Sequence, residues 1–94
     1  MDKMKEKVNH KTTGLKMKKF IELIVRELVD KPDEVHVNEI GGQMSSVFEL
    51  RVGEGDLGKV IGKHGQTVRS IRMIVAAVSA KLGRRSIIEI LECK

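Results

Sequence analysis

Tryptophan and tyrosine are absent from this 94-residue chain, and phenylalanine occurs only at Phe20 and Phe48. Its core must therefore be aliphatic. Its surface offers no set of ring faces on which bases could stack, which excludes single-strand binders built on exposed aromatics, such as the RNA-recognition motif and oligonucleotide-binding barrels. The one cysteine, Cys93, rules out an intrachain disulfide and a cysteine-based metal cluster. Its place beside the C-terminus speaks against a catalytic thiol. No stretch approaches the roughly 18 apolar residues of a membrane span, and the lysine-rich start is not followed by the apolar core of a signal peptide. A reducing, cytoplasmic setting without membrane contact is the expectation. At this length there is room for one domain with a small core and modest net stability.

What the chain does have is charge, unevenly placed. The net charge is +5. Residues 1–16 hold five lysines against Asp2 and Glu6, and residues 17–56 hold nine acids against five bases. Residues 57–88 carry Lys59, Lys63, Arg69, Arg72, Lys81, Arg84 and Arg85 with no acid among them. A protein that only keeps itself soluble mixes its signs. Segregated signs build a directional field, the footprint of a polyanion partner.

Read in order, residues 1–16 contain too little apolar surface to offset the entropy of ordering them. They are expected to form a flexible basic leader, with the folded domain spanning 17–94. From Met17 the period becomes helical: Phe20, Ile21, Ile24, Val25, Leu28 and Val29 recur at three- and four-residue spacing. Pro32 ends that helix, since it lacks an amide donor and disfavours helical geometry at Lys31. The period then changes to two. Val35, Val37 and Glu39 alternate with His36, Asn38 and Ile40. After Gly41-Gly42-Gln43-Met44, Phe48, Leu50 and Val52 alternate with Val47, Glu49 and Arg51. Two such runs joined by a short glycine link form an antiparallel hairpin.

Asp56 is placed to cap a short helix that reaches Ile61. A longer helix is predicted over Gln66–Lys81, with an inward stripe of Val68, Ile71, Val75, Val78 and Leu82, widened by Met73, Ile74 and Ala77. Gly83 is its expected stop. Arg84 and Arg85 are read as electrostatic partners of that helix end. Ser86–Leu91, rich in isoleucine, reads as a buried strand returning parallel through the two-helix crossover. The order is α-β-β-α-α-β: an α+β fold with a three-stranded mixed sheet and helices packed on one face.

Two glycine patterns mislead. Gly53-Glu54-Gly55-Asp56-Leu57-Gly58 matches the dinucleotide fingerprint, but Glu54 and Asp56 stand where a pyrophosphate would approach. The next helix is short, and no acid follows at the ribose distance. Gly62-Lys63 is not a P-loop, because Leu57 and His64 occupy the required glycine and hydroxyl positions. Histidines occur only at 10, 36 and 64. None is paired with a nucleophile or a carboxylate cluster, so no catalytic set, metal site or cofactor is expected and the chain is not read as an enzyme.

What remains is Gly58-Lys59-Val60-Ile61-Gly62-Lys63-His64-Gly65, set between two helices. Glycines at 62 and 65 let the backbone turn sharply and come close to another chain. The residues between them are a cation and a group that can become one. This Val60-Ile61-Gly62-Lys63-His64-Gly65 signature resembles that of KH domains, and the element order is similar to their type II arrangement. Asp33-Glu34-Val35, Val37-Asn38-Glu39 and Leu57 to Lys63 with Gly65 resemble the small bacterial single-KH proteins of the KhpA (YlqC-like) family, over about residues 17–92.

The resemblance implies a loop that clamps about four unpaired nucleotides of RNA, or of single-stranded DNA, with low sequence specificity. Gly62 and Gly65 would close on phosphate, and Lys63 and His64 would face it. Val60, Ile61 and Val68 would floor an apolar slot. Arg69, Lys59 and Arg72 would border it, and Gly58 would permit close packing. It also implies RNA-chaperone or post-transcriptional regulatory work, and pairing as a homodimer or with a second KH protein. Two other readings stand beside it: a helix-turn-helix DNA reader, and an adaptor that uses the apolar long helix only for protein assembly.

Overall fold

The computed structural model describes residues 10–42 and 44–92. The first nine residues of the expected leader and Cys93 lie outside them. Helix α1 spans His10–Leu28, strand β1 His36–Gly41, strand β2 Ser45–Val52, helix α2 Leu57–Ile61, helix α3 Gln66–Lys81 and strand β3 Arg85–Glu92. One-turn 3₁₀ segments at Pro32–Glu34 and Lys63–Gly65 connect α1 to β1 and α2 to α3. The sheet order is β1-β2-β3, with β1 antiparallel to β2 and β3 parallel to it. This is the expected α+β arrangement with a mixed three-stranded sheet.

Strand alternation sets the two faces of the sheet. Val37, Phe48, Leu50, Val52 and Ile88 point inward and are buried. Against them pack Met17, Ile21, Val25 and Val29 at the start of the chain, Val60 from α2, and Ile71 and Val75 from α3. The core is aliphatic except for Phe48, as the composition requires. The opposite face is open. Its register stacks Ile40, Val47 and Ile87 in one row, then Asn38, Glu49 and Glu89, then His36, Arg51 and Leu91.

Several expectations are displaced. The first helix starts at His10 rather than Met17, because each residue added to a formed helix gains a hydrogen bond without a new nucleation cost. In α3 the inward positions are Val68, Ile71, Val75 and Ser79, whereas Val78 and Leu82 are each 37 % exposed. Ser79 is accommodated because its hydroxyl bonds that of Ser86 on β3 at 2.6 Å. Met73, Ile74 and Ala77 do not widen the core; all three are exposed. β3 is an edge strand buried at Ile88 alone, with Ile87 47 % exposed. The stop at Gly83 is a Schellman turn: φ is +72°, Gly83 N–H donates to Ala80 O at 3.1 Å, and Arg84 N–H donates to Ser79 O at 2.9 Å. The Arg84 side chain is not confined to the helix end. Its Nη2 donates across the sheet to Gly42 O at 2.9 Å and Ser46 Oγ at 2.7 Å. Ser46 in turn donates to Glu39 Oε2 at 2.8 Å.

Asp56 also differs from its expected role. It precedes α2, but its side chain makes no cap hydrogen bond there. The carboxylate is 2 % exposed and accepts the backbone N–H groups of Asp30, at 3.2 Å, and Lys31, at 3.0 Å. It thus closes the end of α1 onto the start of α2. Lys31 Nζ to Glu54 O, at 3.0 Å, and Lys59 Nζ to Asp30 Oδ2, at 3.5 Å, flank the same junction. Asp56→Ala would orphan two donors, and each unsatisfied buried group costs about 1–3 kcal/mol. Urea unfolding of that variant is expected to show a loss of about 2–4 kcal/mol, with Asp56→Asn losing less; an unchanged midpoint would refute the role.

Candidate nucleic-acid interface

The loop between α2 and α3 is made by backbone geometry that few residues tolerate. The α2 helix closes with Gly62 N–H donating to Gly58 O at 2.9 Å. Gly62 then adopts φ +77° and ψ 170°, a region open essentially to glycine alone. A side chain is excluded at Gly62 for a second reason as well. A Cβ there would overlap the Thr67 side chain and stand 2.9 Å from Thr67 N. Gly65 N–H donates to Gly62 O at 3.0 Å, and Gly65 itself is left-handed at φ +71°, ψ 16°. Between them His64 is also left-handed, at φ +57°, ψ 24°. It is the only non-glycine with positive φ among the described residues.

A left-handed non-glycine residue costs of order 1–3 kcal/mol. Nothing inside the molecule accounts for it through the His64 side chain, which is exposed and makes no hydrogen bond or ion pair among the described residues. Lys63 is likewise exposed and unpaired within them, as is Arg69 one turn into α3. No side chain caps α3, so the positive end of a 16-residue helix opens beside Lys63 and His64. The loop therefore presents exposed basic side chains that are uncommitted among the described residues.

The other sequence-predicted residues divide. Ile61 is half-buried and Val68 is 8 % exposed, so both border the loop with little accessible surface. Val60 is fully buried in the core and presents no surface beside the loop. Gly58 does not serve close packing within the fold, since a Cβ at that exposed position would meet nothing within 4 Å. Lys59 is held by Asp30. Arg72 reaches from α3 to β3, where Nη2 donates to Ile88 O at 3.1 Å. Lys63, His64 and Arg69 are thus left exposed, Arg72 is bound to β3, and Val60 is withdrawn into the core. One residue that matters to this geometry was not singled out from sequence: Thr67, whose side chain stands against Gly62 and leaves no local pattern. Asp56 was singled out as a cap, but its partners are the amides of Asp30 and Lys31. Among the described residues no three His, Cys, Asp or Glu side chains gather as a metal site, and no helix is long and apolar enough to cross a membrane.

The chain is similar in sequence to known proteins. The family model described as the KhpA/KhpB KH domain matches residues 18–90. Proteins named RNA-binding protein KhpA are similar over most of the chain. That of Clostridium perfringens is 45 % identical over 75 residues, covering 80 % of this chain and 100 % of its own. That of Aquifex aeolicus is 49 % identical over 76 residues, 81 % and 96 % of the two chains. That of Borreliella burgdorferi is 49 % identical over 73 residues, 78 % and 89 %. No solved structure matches the chain.

The three glycines of the α2–loop segment should respond differently to alanine. Gly62→Ala meets both a forbidden backbone region and Thr67, and is expected to lose more than about 1–3 kcal/mol. Gly65→Ala, with open space around it, should lose about 1–2 kcal/mol, and Gly58→Ala should gain about 0.5–1 kcal/mol. Chemical denaturation of the three variants checks the order; equal effects would contradict the loop geometry.

Proposed function

From the premise that the chain belongs to the family of KhpA and KhpB KH domains, a family without enzymes, we propose that it binds single-stranded RNA by clamping the sugar–phosphate backbone in the Gly62–Gly65 loop. The arrangement is the type II KH order. The observation that carries this reading is the left-handed His64 between two left-turning glycines, with its own side chain and that of Lys63 uncommitted. Such strain is stored where a partner uses it. About four unpaired nucleotides fit a loop of this kind. Arg69 supplies a further cation, and Ile61 and Val68 give the bases a shallow apolar edge. Single-stranded DNA shares the gripped backbone and is a second ligand of the same loop.

Specificity is low on this reading. The grip is on phosphate, which carries no sequence information, and there is no exposed aromatic to add stacking of roughly 1–3 kcal/mol per base. A weak, general binder of unpaired RNA suits a cytoplasmic RNA chaperone or post-transcriptional regulator. Two binding loops on one particle would raise the affinity by avidity. The exposed Met73, Ile74 and Val78 on α3 offer an apolar face for pairing with a second copy or another KH protein. The helix-turn-helix alternative is disfavoured by α3 itself. A recognition helix exposes its reading side chains to the major groove, whereas Val68, Ile71 and Val75 bury this one against the sheet.

Replacing both Lys63 and His64 by Asp is expected to leave a folded protein that no longer retains RNA in a gel-shift or filter assay. Unaltered retention would remove the loop from the mechanism, and stronger competition by duplex DNA than by single strands would restore the helix-turn-helix reading. Ile74→Glu is expected to lower the sedimentation-derived mass from dimer to monomer at equal concentration. If the unsubstituted protein sediments as a monomer at tens of micromolar, this helix face is not a pairing surface.

A further inference from the structure

At the end of α3 far from the loop lies a recess of about 220 Å³ lined by Ala76, Ser79, Ala80, Arg84, Arg85 and Ser86. Small-molecule pockets start near ~300 Å³, so a metabolite-sized ligand is not its natural occupant. Its charge is of one sign, with two arginines and no acid on the wall. The wall is also fixed. Ser79 and Ser86 hold each other by their hydroxyls. Arg84 is tied to Gly42 and Ser46, and the Arg85 N–H donates to Met44 O at 2.9 Å. The Arg85 side chain, by contrast, is exposed and makes no hydrogen bond or ion pair among the described residues.

The recess and the loop are joined by one face of one helix. Arg69, Arg72, Ala76 and Ala80 follow each other at three- and four-residue steps and share a side of α3. From Arg69 to Ala80 the helix advances about 16 Å. Arg72 is held in place over β3 by its bond to Ile88 O. Beyond it the centre of the face carries the methyl groups of Ala76 and Ala80, with the exposed Met73 at its border, so an extended chain can lie close to the helix along the alanines. No acid interrupts residues 57–88.

Resting on the reading of the loop as a single-strand RNA grip, we propose that the binding track does not end after four nucleotides. The same strand continues along the Arg69–Arg72–Ala76 face of α3 and sets a further phosphate in the recess beside Arg85. Neutralising one more phosphate releases one more share of condensed counterions, so the salt dependence of binding steepens by about 0.7 in log–log slope for a single strand.

The test compares a tetramer and an octamer of oligouridine by fluorescence anisotropy over a series of salt concentrations. The octamer is expected to bind the unsubstituted protein more tightly and with the steeper slope. Arg85→Gln is expected to weaken the octamer several-fold and flatten its slope by about 0.7, while the tetramer is unchanged. Ala76→Glu sets a carboxylate on the path at an exposed position that suits glutamate as a helix former, and should reproduce both effects in a folded protein. If Arg85→Gln and Ala76→Glu both bind the octamer with unaltered affinity and slope, the proposal is overturned. If inorganic phosphate alone moves the Arg85 and Ser86 amide signals while the octamer gains nothing over the tetramer, the recess is a free-anion site and the proposal is again overturned. Loss of the loop reading looks different: there the Lys63→Asp, His64→Asp protein would keep both oligomers.

Discussion

The carboxylate of Asp56 is the joint on which this small fold turns. α2 has only five residues, too few to hold its own direction, since isolated helices far longer than that are marginal in water. Its position comes from outside. Asp56, buried just before it, accepts two backbone N–H groups from the segment leaving α1, and Val60 plugs it into the core. With its N-terminal side fixed to α1 and its apolar side fixed to the sheet, α2 delivers Gly62 to one place. The loop geometry is then completed by Thr67, which leaves no room for a side chain at Gly62. A buried acid, a buried valine and a threonine thus determine where two exposed basic residues stand.

Much of this was legible from periodicity. The bounds Gln66–Lys81, the inward set Phe48, Leu50 and Val52, and the parallel return of the last strand all follow from spacing and chain length. Those signals report which side chains share a face. They do not report how far the face is rotated toward its neighbour. In α3 the rotation places Ser79 inside and Val78 at the rim. Hydrophobicity alone would give the reverse, and only the partner hydroxyl of Ser86 makes the buried serine acceptable. The isoleucines of β3 misled in the same way: an isoleucine-rich run reads as a buried strand, but at the edge of the sheet only Ile88 is buried.

The candidate site was legible in its glycines and its charges. It was not legible where tertiary contacts divide the duties. Asp56 and Lys59 are adjacent to the signature, yet both are engaged with the Asp30–Lys31 segment that follows α1. Val60 lies within the signature and is core. The side chains left uncommitted, Lys63, His64 and Arg69, form a shorter set than the motif suggests. On the proposed reading, affinity drawn from so few contacts would be modest and salt-sensitive, as expected of a chain that lacks aromatic stacking and carries no acid across residues 57–88.

The open face of the sheet sets a limit on assembly. Glu49 and Glu89 stand side by side in register on it, a like-charge neighbour pair that costs some stability. Stacking two copies back to back through their strands would crowd four carboxylates into a space shorter than the ~8 Å screening length of physiological salt. The acid pair thus marks the middle row of that face, between the Ile40–Val47–Ile87 and His36–Arg51–Leu91 rows, as the place where two copies resist being laid strand on strand.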